Sequence, residues 1–88
     1  MRAANPIHPG IMLLKEFLAP AKISQRMFAH KLGWTVAKLN ELINGKCGVT
    51  ADSALDLAAA LKTTPELWLN LQMYYDLGRA EERRKKAS

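Results

Sequence analysis

The chain has 88 residues, 49% of them apolar and 24% charged, with a net charge of +5. That length holds one domain with one core, and the apolar content is too high for a disordered chain. A single cysteine excludes an internal disulfide and fits a reducing cytoplasm; no apolar run approaches the ~20 residues that cross a bilayer, and no signal-peptide profile opens the sequence.

The predicted elements are all helices. Pro9 and Gly10 introduce the first, expected to end near Ala19 because Pro20 follows, with Leu14, Phe17 and Leu18 on its apolar stripe. Ser24 is a good N-cap for a second helix, where Phe28, Ala29 and Leu32 share a face and Gly33 ends the run. Thr35 caps a third, carrying Leu39, Leu42 and Ile43 and closing at Asn44-Gly45. Thr50 caps a fourth with Asp52 in its first turn, and Ala54, Leu55, Ala58 and Leu61 at helical spacing. Thr64-Pro65-Glu66 combines a cap, a proline at the first helical position and an acid. The fifth helix then runs through Trp68, Leu71 and Tyr75 to Arg79 or beyond, before an Arg83–Lys86 run expected to fray in solvent. The alternation of a half-buried strand is absent.

Charge follows this order unevenly. Residues 1–50 carry a net +5, residues 51–78 a net −3, and the tail from Arg79 a net +3. A basic front half is what a polyanion-binding face requires.

The second and third helices are separated only by Gly33-Trp34, which forces a sharp pair. Ala29 is small where the helices must approach, Gly33 can take positive φ, and Leu39 and Leu42 lock the pair together. These types at these offsets match a helix-turn-helix; the bland alternative is a helical hairpin in a bundle. In a helix-turn-helix the third helix enters the major groove with its N-terminal residues at base edges. Those residues are Thr35, Val36, Ala37 and Lys38, with Asn40 and Glu41 one turn on. Lysine donates to guanine, small apolar groups pack on thymine methyls, and Glu41 requires a cytosine amino group or points away. Gln25, Asn44 and Lys46 are candidates for phosphate contacts.

Other chemistries are poorly served. His8 and His30 have no cysteine or carboxylate pair at metal-ligand spacing, so neither a metal nor another cofactor is expected. Cys47 sits in a glycine-rich loop without an evident base, and no catalytic triad or phosphate-cradling loop is present, so the chain does not read as an enzyme. Leu67, Trp68, Leu71, Tyr74 and Tyr75 spill past one face of the fifth helix, which points to a homodimer contact there.

Three blocks carry a family resemblance: Asn5-Pro6-Ile7-His8-Pro9-Gly10, Leu39-Asn40-Glu41-Leu42-Ile43-Asn44-Gly45-Lys46, and Thr64-Pro65-Glu66-Leu67-Trp68-Leu69-Asn70-Leu71-Gln72. Over about residues 5–78 the sequence resembles the HigA/VapI-type antitoxins, a branch of the XRE (Cro/CI-like) helix-turn-helix family. The middle block belongs to the broad family, the outer two to the antitoxin branch. The resemblance implies a five-helix Cro/CI-repressor-like fold; the helices read above make the chain a single all-α domain over 1–88, with an ordered core of about 8–79 and a basic tail at 80–88. It also implies a cytoplasmic homodimer that represses its own operon at an inverted-repeat operator in double-stranded DNA and neutralises a small RelE-like ribonuclease toxin. The sequence departs from the family at Ile11, where Glu is usual, at Val36 and Ala37 in the recognition helix, and at Cys47, where a basic residue is usual. A stand-alone repressor without a toxin, and a protein-interaction module that no longer binds DNA, remain as alternatives.

Overall fold

The computed structural model describes residues 7–87, all of whose regular elements are helical. Arg2, the Asn5-Pro6 start of the first family block and Ser88 of the tail lie outside the described residues. Helix α1 (residues 9–21) joins Pro9–Met12, a π-helical stretch Leu13–Leu18 and a last turn Ala19–Ala21. It is followed by α2 (Gln25–Leu32), α3 (Val36–Ile43), α4 (Ala51–Leu61) and α5 (Pro65–Ala87).

Helix starts follow the side chains that cap them. Ser24 accepts from Met27 N–H at 3.1 Å, Thr35 from Lys38 N–H at 3.1 Å, Thr50 from Ser53 N–H at 3.2 Å and Thr64 from Leu67 N–H at 3.2 Å. Each satisfies an amide that the helix itself leaves unpaired. Helix ends share a device as well. Residues Lys22, Gly33, Gly45 and Lys62 adopt positive φ, and the next amide turns back to a carbonyl five residues earlier, as in Trp34 N–H to Ala29 O at 2.9 Å and Lys46 N–H to Glu41 O at 2.8 Å. That is the Schellman arrangement, which closes a helix on its own last carbonyls.

Three expectations are corrected. The first helix does not stop before Pro20 but continues to Ala21. Proline lacks an amide proton and crowds the carbonyl four residues back. Directly ahead of it the helix widens to π spacing, with Ala19 N–H bonded to Leu14 O, and the chain passes the proline as a helix. In α4, Leu55 is 57% exposed and Leu57 takes the core position beside Ala54 and Ala58, because the buried face is centred one step further round the helix. The Arg83–Lys86 tail is helical through Lys86, prolonging α5 to Ala87. A Glu82–Lys86 pair at 3.6 Å supports this exposed turn in the favourable order along the helix.

The core joins all five helices. Leu13 and Leu18 of α1, Phe28 and Ala29 of α2, Leu39, Leu42 and Ile43 of α3, Ala54 and Leu57 of α4, and Trp68 of α5 are buried together, with Val49 from the α3–α4 loop. Trp68 is its centre: the indole is fully buried, tilts against Phe17 at 5.4 Å and donates to Thr63 Oγ1 at 2.8 Å. A buried indole needs such an acceptor, and Thr63 supplies it from the turn ahead of the same helix. Among the described residues no helix is long and apolar enough to cross a membrane.

Candidate nucleic-acid interface

Burial of Leu39, Leu42 and Ile43 fixes the rotation of α3. The opposite side, carrying Val36, Ala37, Asn40, Glu41 and Asn44, is exposed. Ala37, Glu41 and Asn44 fall at i, i+4 and i+7 along its middle, with Val36 and Asn40 to one flank and Lys38 to the other. The helix-turn-helix pair therefore presents to solvent the residues that the sequence assigned to base readout.

Of the residues assigned to phosphate, Asn44 lies on that face itself, while Gln25 and Lys46 come from the elements on either side of α3. Gln25, in the first turn of α2, accepts from Asn40 Nδ2 through Oε1 at 3.2 Å, and Asn40 Oδ1 accepts from Asn44 Nδ2 at 3.0 Å. This polar line ties α2 to two successive turns of α3. With its oxygen engaged by Asn40, Gln25 keeps its NH₂ as the donating group, the polarity that suits an anionic acceptor. Lys46 lies just past α3, its amide used in closing the helix and its side chain exposed.

Lys38 has a neighbour that the sequence did not reveal. Its Nζ stands 4.3 Å from the centroid of the Trp34 ring, whose Nε1 donates to Asp56 Oδ2 of α4 at 2.9 Å. The turn tryptophan thus anchors the helix pair to α4 and holds the lysine at the edge of the recognition face. A cation over a ring that is still in contact with water is held by only about 0.5–1 kcal/mol, so the contact does not lock the lysine in place. Glu41 opposes anions at the middle of the face. Cys47 is exposed; burial first and then the Glu41 charge raise its thiol pKa, against a smaller lowering by Lys38. The thiol is accordingly a neutral group at physiological pH.

Behind the face, two side chains fix the loop that leaves α3. Gln72 of α5 accepts from Val49 N–H at 2.7 Å and donates to Asp76 at 2.9 Å. His8, 5% exposed, caps α1 by accepting from Gly10 N–H at 3.0 Å and meets Tyr75 edge-on at 4.8 Å. The contacts of Gln72 with Val49 and of His8 with Tyr75 are not apparent from spacing, because these partners are distant in sequence; the only hint is the membership of both residues in the outer family blocks. Among the described residues no cluster of His, Cys, Asp and Glu is arranged to hold a metal ion.

The residues assigned to a dimer contact divide. Leu67 is 38% and Tyr74 52% exposed, while Leu71 and Tyr75 are half-buried against the protomer. Trp68 is corrected: it is wholly inside the protomer core and offers nothing to a second chain. The apolar surface of α5 is instead continued by Leu69, Met73 and Leu77.

The helix-turn-helix family (HTH_3) matches residues 14–68. The chain is 44% identical over 73 residues to the antitoxin HigA-1 of Vibrio cholerae, a match spanning 83% of this chain and 69% of that protein. Its fold superposes on antitoxin GraA with a TM-score of 0.89 at 41% identity, covering 99% of this chain and 90% of that one. Pseudomonas aeruginosa antitoxin HigA, solved with the higBA promoter, superposes with a TM-score of 0.87 at 34% identity, covering 93% and 89%. With the exposed recognition face, these likenesses establish that the chain belongs to the HigA-type antitoxins of the DNA-binding helix-turn-helix family.

Proposed function

We propose that this protein is an antitoxin that represses its own operon: a cytoplasmic homodimer that binds an inverted repeat in double-stranded DNA and neutralises a small ribonuclease toxin. The observation that carries the DNA-binding part is the exposed α3 face, small at Val36 and Ala37, polar at Asn40 and Asn44, and flanked by Lys38, Lys46 and Gln25. Small side chains at the start of a recognition helix let its backbone approach the base edges closely, and Thr35, Val36, Ala37 and Lys38 are the residues that read them. Asn40 and Glu41 act one turn deeper, while Gln25, Asn44 and Lys46 set the register on phosphates.

A homodimer is supported by α5. Leu67 and Tyr74, joined by Leu69, Met73 and Leu77, form an apolar surface along one helix that water solvates poorly. Two-fold pairing puts two α3 helices into successive major grooves about 34 Å apart, and the operator then reads as an inverted repeat. The toxin is supported by membership in the antitoxin family.

The test is fluorescence anisotropy of the purified protein on the DNA upstream of its own reading frame and on a scrambled duplex, across a salt series. The reading expects a preference of about a hundredfold or more and a steep loss of affinity with salt as counterions are released. Equal, weak binding of both duplexes makes the domain a protein-interaction module. Copurification with the product of a neighbouring reading frame then separates the antitoxin from a stand-alone repressor.

A further inference from the structure

The start of α1 is seated directly on the end of the recognition helix. A Cβ at Gly10 would collide with the Leu42 carbonyl and the Ile43 Cα, so the α1 backbone lies against the last turn of α3. His8 completes this junction. Its Nδ1 accepts from Gly10 N–H at 3.0 Å, and its ring lies beside Gly45 and meets Tyr75 at 4.8 Å. One buried imidazole therefore touches α1, the exit of α3 and α5.

The charged groups around it come from each of these elements. Asp76 of α5 is near enough to favour the imidazolium, and Arg79 stands 5.9 Å over the Tyr75 ring. Lys15 and Glu16 of α1 line a cavity of about 510 Å³ together with His8, Tyr75 and Arg79. We propose that His8 is a proton-operated positioning residue for the recognition helix: neutral, it clamps the exit of α3 against α1 and α5; protonated, it releases that exit and weakens operator binding.

The chemistry follows from the donor count. A neutral imidazole offers Nδ1 as the acceptor that the Gly10 amide requires; the imidazolium has two donors, one of which faces that amide. Burial holds the imidazole below its usual pKa of 6.5, outweighing the upward pull of the Cys47 backbone and the Asp76 charge. Acid thus costs the junction both a cap and a solvation penalty. The exit carries Asn44 and Lys46, assigned above to phosphates, so its release reaches DNA directly. The 2.7 Å bond from Val49 N–H to Gln72 remains as a separate anchor, which permits local opening without loss of the domain.

This inference rests on the DNA-binding reading, and the experiment separates the two. Operator affinity is measured by anisotropy at pH values from about 7.5 to about 5.5 for the wild type, H8N and D76N, with far-UV circular dichroism at each pH. Asparagine keeps a capping acceptor without titrating in this range, and D76N keeps an acceptor for Gln72 while removing the charge. The expected result is a roughly three- to tenfold loss of wild-type affinity on acidification, a flatter profile for H8N, and a D76N transition displaced to lower pH. Tight operator binding at pH about 7.5 with an unchanged profile in H8N, or an unmoved transition in D76N, overturns the clamp alone. Absence of operator preference at every pH overturns the DNA-binding reading and the clamp with it. If H8N folds poorly, the D76N displacement decides.

Discussion

Gln25 Oε1 accepts a hydrogen bond from Asn40 Nδ2 at 3.2 Å, joining the first turn of α2 to the exposed face of α3. Both residues had been assigned to DNA, one to phosphate and one to bases, and the bond makes them a single unit. A glutamine that uses its oxygen on the protein presents its NH₂ outward, which is the polarity a phosphate needs. Gln25→Ala is expected to weaken operator and scrambled DNA alike by about 1 kcal/mol, roughly fivefold, since a phosphate contact carries no sequence information. Its effect on stability should stay within about 0.5 kcal/mol because the bond is exposed. Parallel titrations of the two duplexes and a urea melt check both halves.

Lys38 makes the opposite kind of prediction. Its Nζ rests 4.3 Å from the Trp34 ring, at the flank of the exposed side of α3. If it leaves the ring for a guanine, Lys38→Ala lowers preference at one base-pair position by about 1–3 kcal/mol and leaves the others unchanged. A panel of operator duplexes, each with one base pair replaced, reads this out. A uniform loss across the panel would instead assign Lys38 to the phosphate backbone.

Gly10 tests the seat of α1 on α3. The atoms a methyl group would meet are backbone, the Leu42 carbonyl and the Ile43 Cα, and neither can rotate away. Gly10→Ala is therefore expected to destabilise the fold by more than about 3 kcal/mol, even though alanine is the better helix former. The urea midpoint measures it; a midpoint within error of the wild type would mean that α1 is not held against α3.

These contrasts mark what the sequence could and could not disclose. Ser24, Thr35, Thr50 and Thr64 were readable as caps because each bonds an amide three residues on. Gly33 and Gly45 were readable as helix ends for a similarly local reason. Passage of α1 through Pro20 was not, since the π widening that accompanies it lies among Leu13 and Leu18, whose burial is tertiary. Leu55 and Leu57 exchanged roles because a short alanine-rich helix leaves the centre of its buried face poorly defined. The positioning residues were the least legible. Gln72 and Val49 are 23 residues apart, Trp34 and Asp56 are 22 apart, and no local pattern announces such a pair.

Two helix ends carry a lysine where the backbone favours glycine. Lys22 has φ 57° and Lys62 φ 56°, left-handed values that press a Cβ towards the carbonyl that follows. Lys62→Gly removes that contact in the turn between α4 and α5 and is expected to add about 0.5–1 kcal/mol, the strain relief exceeding the added entropy of the unfolded chain. For a domain of this size that raises Tm by roughly 2–8 °C. Calorimetry of Lys62→Gly and Lys22→Gly checks it, and an unchanged or lower Tm would show that the lysines carry compensating interactions.

Stability should also depend on pH through His8, independently of DNA. Burial lowers the folded-state pKa of this imidazole below 6.5, so at intermediate pH the unfolded chain binds more protons than the folded one. Stability must then rise with pH across that interval. The contribution is fully present above about pH 6.5 and is lost as pH falls through the folded-state value. His30 is exposed on α2 and stands outside this junction. Urea midpoints at pH about 7.5, 6.5 and 5.5 are expected to fall progressively in the wild type and to fall less in H8N, which keeps a capping oxygen but takes up no proton. Acid also protonates carboxylates, so the informative quantity is the difference between the two slopes. Parallel slopes would mean that His8 enters the unfolded and folded states with the same proton affinity, and the buried junction between α1, α3 and α5 would then be open to water.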